Sequence, residues 1–192
     1  MILYAADLEL AKKAAKGDES AFEEIVRQNQ GFIYNLCLSR TGSREDALDV
    51  SQETFIKAYR SISGYRGDSK LSSWLYRICS NCVTDFLRRR KEQTVPIDPD
   101  PEGEGGIDLA DSDPSSLPEE AAERDYLRDA VRQAVSSLPS DMREILILRE
   151  YKGMSYSEIA ELCGLEEGTV KSRLNRARQK LKDFLKERNI SP

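Results

Sequence analysis

Residues 155–185 read SYSEIAELCGLEEGTVKSRLNRARQKLKDFL, and the fold turns on this stretch. Ser155-Tyr156-Ser157-Glu158 sets a hydroxyl and a carboxylate three residues apart, the pairing that satisfies the free N–H groups opening a helix. A short helix is predicted, with Ile159, Ala160 and Leu162 inside and Gly164 as its stop. A second helix begins near Glu167 to Thr169, where Val170, Leu174, Ala177, Leu181 and Leu185 recur on one stripe. Lys171, Ser172, Asn175, Arg176 and Lys182 then face elsewhere. Two helices joined through a tight Gly turn, the second basic on its open face, predict a helix-turn-helix. Cations and amides on such a face suit base edges and phosphates, although a basic surface helix is often only solvated.

Upstream, Leu127, Ala130, Val131, Ala134, Val135 and Leu138 predict an amphipathic helix stopped by Pro139. Met142, Ile145, Leu146 and Leu148 predict another that ends before Gly153. Together with the helix-turn-helix they make a C-terminal domain over 121–192. Residues 95–120 hold Pro96, Pro99, Pro101, Gly103, Gly105, Gly106, Pro114 and Pro118 among acids and serines. Such a mixture builds no core, and a flexible acidic linker is expected there. The net charge of −5 hides an uneven distribution. Acid collects between Asp98 and Asp125, while Thr169–Arg188 and the block Arg88-Arg89-Arg90-Lys91 are basic.

The first domain, 1–94, reads as four helices. Leu8, Leu10, Ala11, Ala14 and Ala15 mark the first, which ends at Gly17-Asp18. Phe22, Ile25, Val26, Ile33, Leu36 and Cys37 mark a second, with a bend or break expected near Gln30-Gly31. Ser43 with Asp46 caps a third that runs to about Ile62. Leu48, Phe55, Tyr59 and Ile62 are expected on its buried face, with Asp49, Gln52, Glu53, Lys57 and Arg60 outside. After a turn-rich Ser63–Asp68, a fourth helix runs from about Leu71 to Arg90. Tyr65, Trp74 and Tyr76 lie near Arg66, Lys70, Arg77, Asn81 and Arg88. Aromatic faces beside cations suit unpaired bases and their phosphates, yet helical Trp and Tyr are more often core.

Composition bounds the rest. No apolar run approaches the roughly 20 residues needed to span a bilayer. Met1-Ile2-Leu3-Tyr4 lacks the halves of a signal peptide, so a cytoplasmic protein is expected. The four cysteines are Cys37, Cys79, Cys82 and Cys163. They fall inside helical patterns, which argues for reduced, structural positions rather than a disulfide framework. Cys79-x-x-Cys82 is half of a zinc pattern, but the chain has no histidine and no second close pair, so no metal and no cofactor are expected. Neither a phosphate-cradling Gly loop nor a nucleophile elbow is present, and an enzyme is not expected.

Three blocks in order carry a family resemblance. They are Asp49-Val50-Ser51-Gln52-Glu53-Thr54-Phe55-Ile56-Lys57-Ala58-Tyr59, then Tyr65-Arg66-Gly67-Asp68-Ser69-Lys70 with Ser73-Trp74-Leu75-Tyr76-Arg77-Ile78, and Gly168-Thr169-Val170-Lys171-Ser172-Arg173-Leu174. The chain resembles the extracytoplasmic-function sigma factors of bacterial RNA polymerase over nearly its whole length. The resemblance implies an all-α protein of two small helical domains that directs core RNA polymerase to promoters. It implies that Asp49, Gln52, Glu53 and Lys57 dock on the polymerase. It further implies that Tyr65, Arg66, Lys70, Trp74, Arg77, Ile78, Asn81 and Arg88 read and open the minus-ten element as single strand. Lys171, Ser172, Asn175 and Arg176 would meet base edges of the duplex minus-thirty-five element, with Tyr156, Thr169, Arg173 and Arg178 on phosphates. An anti-sigma partner is a further implication. The departures are Cys79 and Ser80, where small aliphatic residues are expected, and Cys82. A stand-alone helix-turn-helix regulator would bind DNA alone, usually as a dimer. A helical adaptor without DNA contact would tolerate charge reversal at Lys171 or Arg176.

Overall fold

Short polar side chains and glycines set several of the helix boundaries. The computed structural model describes the backbone of residues 4–93 and 118–190, with side chains within 4–92 and 125–190. The helices are α1 (Ala5–Ala15), α2 (Glu19–Thr41), α3 (Arg44–Ser61), α4 (Leu71–Gln93), α5 (Pro118–Ser136), α6 (Ser140–Leu146), α7 (Tyr156–Cys163) and α8 (Glu167–Glu187). A 3-10 turn at Ile62–Gly64 follows α3, and a π-helical turn at Ile147–Tyr151 follows α6. No strand occurs among the described residues. The expected acidic linker lies outside them, except that α5 already begins at Pro118, a residue suited to the first helical position because it has no N–H to leave unpaired.

Asp18 accepts from Ala21 N at 3.1 Å to open α2, and Gly42, at φ 72°, closes it. Ser43 opens α3 by accepting from Asp46 N at 3.3 Å, as its spacing predicts. The cap of α4 comes from outside its own neighbourhood, since Leu71 N donates to the Asp7 carboxylate of α1 at 3.0 Å. Each such cap contributes about 1 kcal/mol.

Helices α1–α4 enclose a core that includes Ile25, Phe32, Ile33, Val50, Leu75 and Val83. Helices α5–α8 extend it around Ile145, Ile147, Leu148, Met154, Ile159 and Leu174, so that the buried apolar residues of both groups form one continuous cluster. Each of these side chains, fully withdrawn from water, contributes about 1.5–3 kcal/mol.

Three expectations about the helices are corrected. Helix α3 buries Ala47, Val50, Ser51, Thr54 and Ala58, whereas Leu48 and Tyr59 are 52% and 47% exposed. The small residues allow close approach of α2 and α4, and the bulkier stripe one position away turns outward. Phe55 stays half-buried and Ile62 buried. Helix α2 is also unbroken at Gly31. That glycine serves packing instead, because a Cβ there would collide with the Tyr151 hydroxyl. Leu127, assigned to the buried stripe of α5, is 44% exposed.

The two groups of helices touch through α2, which packs on α6 and on the π-helical turn. Arg143, 8% exposed, crosses the seam to Ser39 O at 3.2 Å. From the same limb it reaches Ser136 O at 2.7 Å and Leu138 O at 2.8 Å. Lys152 Nζ donates to Gln28 O at 3.1 Å and Asn29 Oδ1 at 2.8 Å, and lies 5.0 Å from the centre of the Phe32 ring. The cysteines of the Cys79-x-x-Cys82 spacing, expected as structural positions, are buried in α4, where Cys79 Sγ lies 3.5 Å from Cys37 Sγ of α2. The adjacent Cys79 thiol, reinforced by burial, pushes the Cys37 thiol far above its ordinary range. The Cys37 sulfur is therefore a poor nucleophile held as a packing group.

Candidate nucleic-acid interface

The helix-turn-helix forms from the local signals that predict it. Ser155 Oγ accepts from Glu158 N at 3.2 Å, while Glu158 Oε2 accepts from Ser155 N at 2.7 Å, completing the capping box. Gly164, at φ 65°, ends α7, and Leu165 N donates back to Ala160 O at 2.9 Å. Val170, Leu174 and Ala177 are wholly buried and seat α8. Lys171, Ser172, Asn175 and Arg176 are left exposed on its opposite side.

Two of the residues expected on phosphates, Arg173 and Arg178, are braced by acids of the same limb. Arg173 pairs with Asp141 at 3.1 Å, and Arg178 Nε donates to Glu150 at 3.1 Å. That bond to Glu150 holds the Arg178 pKa above its ordinary value. The Tyr156 ring carries the Arg149 guanidinium 5.1 Å from its centre, and Arg149 Nη1 also donates to Met154 O at 2.7 Å. This bracing orients the cations before any phosphate arrives. Sequence reading missed Arg149, whose partner lies on the next helix, beyond the turn at Gly153, where no helical period relates the two.

On α4 and the turn before it, the predicted strand-reading residues separate by depth. Arg66, Arg77, Asn81 and Arg88 are exposed, Lys70, Trp74 and Ile78 half-buried, and Tyr65 buried. Tyr65 donates its hydroxyl to Ser69 O at 2.6 Å, and its ring lies 5.7 Å from that of Trp74. Burial pushes the Tyr65 pKa up to about 12. Tyr65 thus supports Trp74 from beneath instead of offering a free face. Tyr76, grouped with these aromatics in the sequence, turns into the seam, where its hydroxyl donates to Glu144 Oε1 at 2.9 Å. Burial raises its pKa beyond the ordinary range.

The comparisons with known proteins bear on both regions. Residues 25–93 match the family model "Sigma-70 region 2", and residues 128–181 match "Sigma-70, region 4". The RNA polymerase sigma-H factor of Pseudomonas aeruginosa is 37% identical over 183 residues, covering 93% of each chain. The ECF RNA polymerase sigma-E factor of Haemophilus influenzae is 36% identical and covers 92% of this chain and 94% of that one. The chain belongs to the extracytoplasmic-function sigma factors. Among solved structures, the sigma factor RpoE bound to the anti-sigma factor NepR from Bartonella quintana superposes with a TM-score of 0.62 at 27% identity. It covers 86% of this chain and 96% of that one. CnrH, solved with the cytosolic domain of CnrY, gives 0.61 at 27% identity, covering 95% and 99%.

In this sigma factor the residues expected to face the polymerase lie on the outward side of α3. Asp49 and Gln52 are exposed, and Glu53 and Lys57 are half-buried. Glu53 is not an isolated acid. Lys57 Nζ meets it at 2.9 Å and Arg89 Nη2 at 3.4 Å. The Lys57 hydrogen bond foremost, with Arg89 behind it, holds the Glu53 carboxyl below its ordinary pKa. Asp46 likewise meets Arg90 at 2.7 Å. The basic end of α4 is therefore tied to the acidic side of α3, a link that sequence separation conceals. No described helix of the sigma factor is long and apolar enough to cross a membrane.

Proposed function

We propose that this sigma factor acts in the cytoplasm, bound to core RNA polymerase, with its two helical domains reading two forms of one promoter. Residues 1–94 would hold the polymerase through Asp49, Gln52, Glu53 and Lys57. They would grip the unpaired minus-ten strand through Arg66, Lys70, Arg77, Asn81 and Arg88, with Trp74 and Ile78 as stacking surface over Tyr65. Residues 121–192 would place α8 in the major groove of the minus-thirty-five duplex. There Lys171, Ser172, Asn175 and Arg176 address bases, while Tyr156, Thr169, Arg173 and Arg178 address phosphates. The linker over 95–120 repels DNA by charge, so the polymerase must join the two domains on the promoter. The chemistry of RNA synthesis stays with the polymerase, and the sigma factor contributes binding and melting energy only.

The observation that carries this reading is the open face of α8. Its inner stripe is wholly buried while every proposed base-reading residue remains exposed. A stand-alone regulator has no use for the region 2 match over residues 25–93. By analogy with the anti-sigma complex of the Bartonella factor, an anti-sigma protein is a further partner. The test is in vitro transcription with purified core polymerase on a randomised promoter pool. Enriched templates should share two elements at fixed spacing, and failure of this chain to stimulate initiation on any template refutes the reading.

A further inference from the structure

We propose that the free sigma factor is closed on itself, with acids of α6 and α7 seated on the strand-reading face of α4 in the place of phosphates. The proposal rests on the assignment of that face to unpaired DNA. Lys70 Nζ meets Glu158 Oε1 at 2.8 Å, with both side chains about three-quarters buried. Two turns along α4, Arg77 Nη2 meets Glu161 Oε1 at 2.8 Å. Between them Tyr76 donates to Glu144 Oε1. Glu158 and Glu161 stand three residues apart, one above the other on a single side of α7. They present two carboxylates to two cations that would otherwise hold a strand.

The construction of the seam suits a contact that opens. Where the acids meet α4 it consists of ion pairs and a hydrogen bond, and the Arg77–Glu161 pair is more than half exposed. Partly solvated pairs of this kind each contribute little and exchange readily for another anion. Further along, Tyr151 rests against Gly31 and Lys152 against Phe32, which gives the closed form shape specificity. The base-reading side of α8 lies outside this contact. Closure therefore covers single-strand reading and leaves duplex reading open, and strand affinity falls in proportion to the closed fraction.

Two variants separate closure from simple charge. Glu144→Gln with Glu161→Gln removes two of the acids and spares the capping box. Gly31→Leu changes no charge but wedges Tyr151 away from α2. Binding of the full chain to a labelled random-sequence single-stranded oligonucleotide is measured beside its radius of gyration by solution scattering. Both variants should bind about 5- to 20-fold more tightly than the wild type, with an increased radius of gyration. Unchanged affinity and size in both overturns closure, as does tighter binding without an increased radius of gyration, which reports charge. Initiation with core polymerase on the randomised pool is read in parallel. Its absence in wild type and variants alike defeats the sigma reading, whereas normal initiation with unchanged strand affinity defeats closure alone.

Discussion

Replacement of Arg143 by methionine should destabilise the second domain more than any surface change. The guanidinium serves three backbone carbonyls, Ser136 O, Leu138 O and Ser39 O, at 2.7, 2.8 and 3.2 Å. Two of these acceptors lie at and just past the C-terminal end of α5, where helix carbonyls lack intrahelical donors and a cation is favoured. Burial opposes the charge and pulls the Arg143 pKa down, which offsets part of what the bonds contribute. Methionine restores the apolar packing of the stem but supplies no donor. Water can reach the part-buried Ser136 O, whereas Leu138 O and Ser39 O are in buried bonds. At about 1–3 kcal/mol for each of these two stranded acceptors, less the relief from no longer burying a charge, the expected loss is about 2–4 kcal/mol. Urea unfolding followed by far-UV circular dichroism measures it. The single tryptophan is Trp74 in the first domain, so its emission provides an internal reference. The helical signal of Arg143→Met should fall at lower urea than the Trp74 transition. A loss under about 1 kcal/mol, with both signals moving together, would show that the three bonds contribute no net stability.

Arg176→Ala should weaken use of a selected promoter by about 1–3 kcal/mol and relax preference at one duplex position. Transcription on a single-substitution promoter panel checks this, and an unchanged profile contradicts base reading by Arg176. Gly164→Ala should cost about 1–2 kcal/mol in thermal unfolding, because a Cβ there has open space yet φ is 65°. The same loss should not follow at Gly168, which has open space and no positive φ. Burial would raise the pKa of Glu158, but the bonds from Lys70 and Ser155 outweigh it and bring the carboxyl below its ordinary 4.5. Its contribution is thus present above that value and lost as pH falls through the depressed one. Urea titrations from pH 7 to pH 3 should show wild type losing stability more steeply than Glu158→Gln, which keeps a side chain able to complete the capping box. Parallel pH curves would remove Glu158 from the account.

The sequence by itself determined the all-α class and the helix ends at Ser43, Ser155 and Gly164. It also determined the seated stripe Val170-Leu174-Ala177 that turns Lys171, Asn175 and Arg176 outward. These follow from interactions within one or two helical turns, where the spacing of side chains alone sets the geometry. Only the tertiary structure decided which of two adjacent stripes of α3 is buried. Ala47, Val50 and Ala58 repeat with the same helical period as Leu48, Phe55 and Tyr59, and close approach of α2 and α4 selects the smaller set. It also decided that Gly31 continues α2 to receive Tyr151, that Tyr65 lies beneath Trp74, and that Asp7 caps α4. The pairing of Lys70 with Glu158 and of Arg77 with Glu161 lies wholly beyond sequence reading. Ion pairs between residues far apart in the chain carry no periodic signature, because their partners are chosen by how two packed groups of helices meet and not by any local rule.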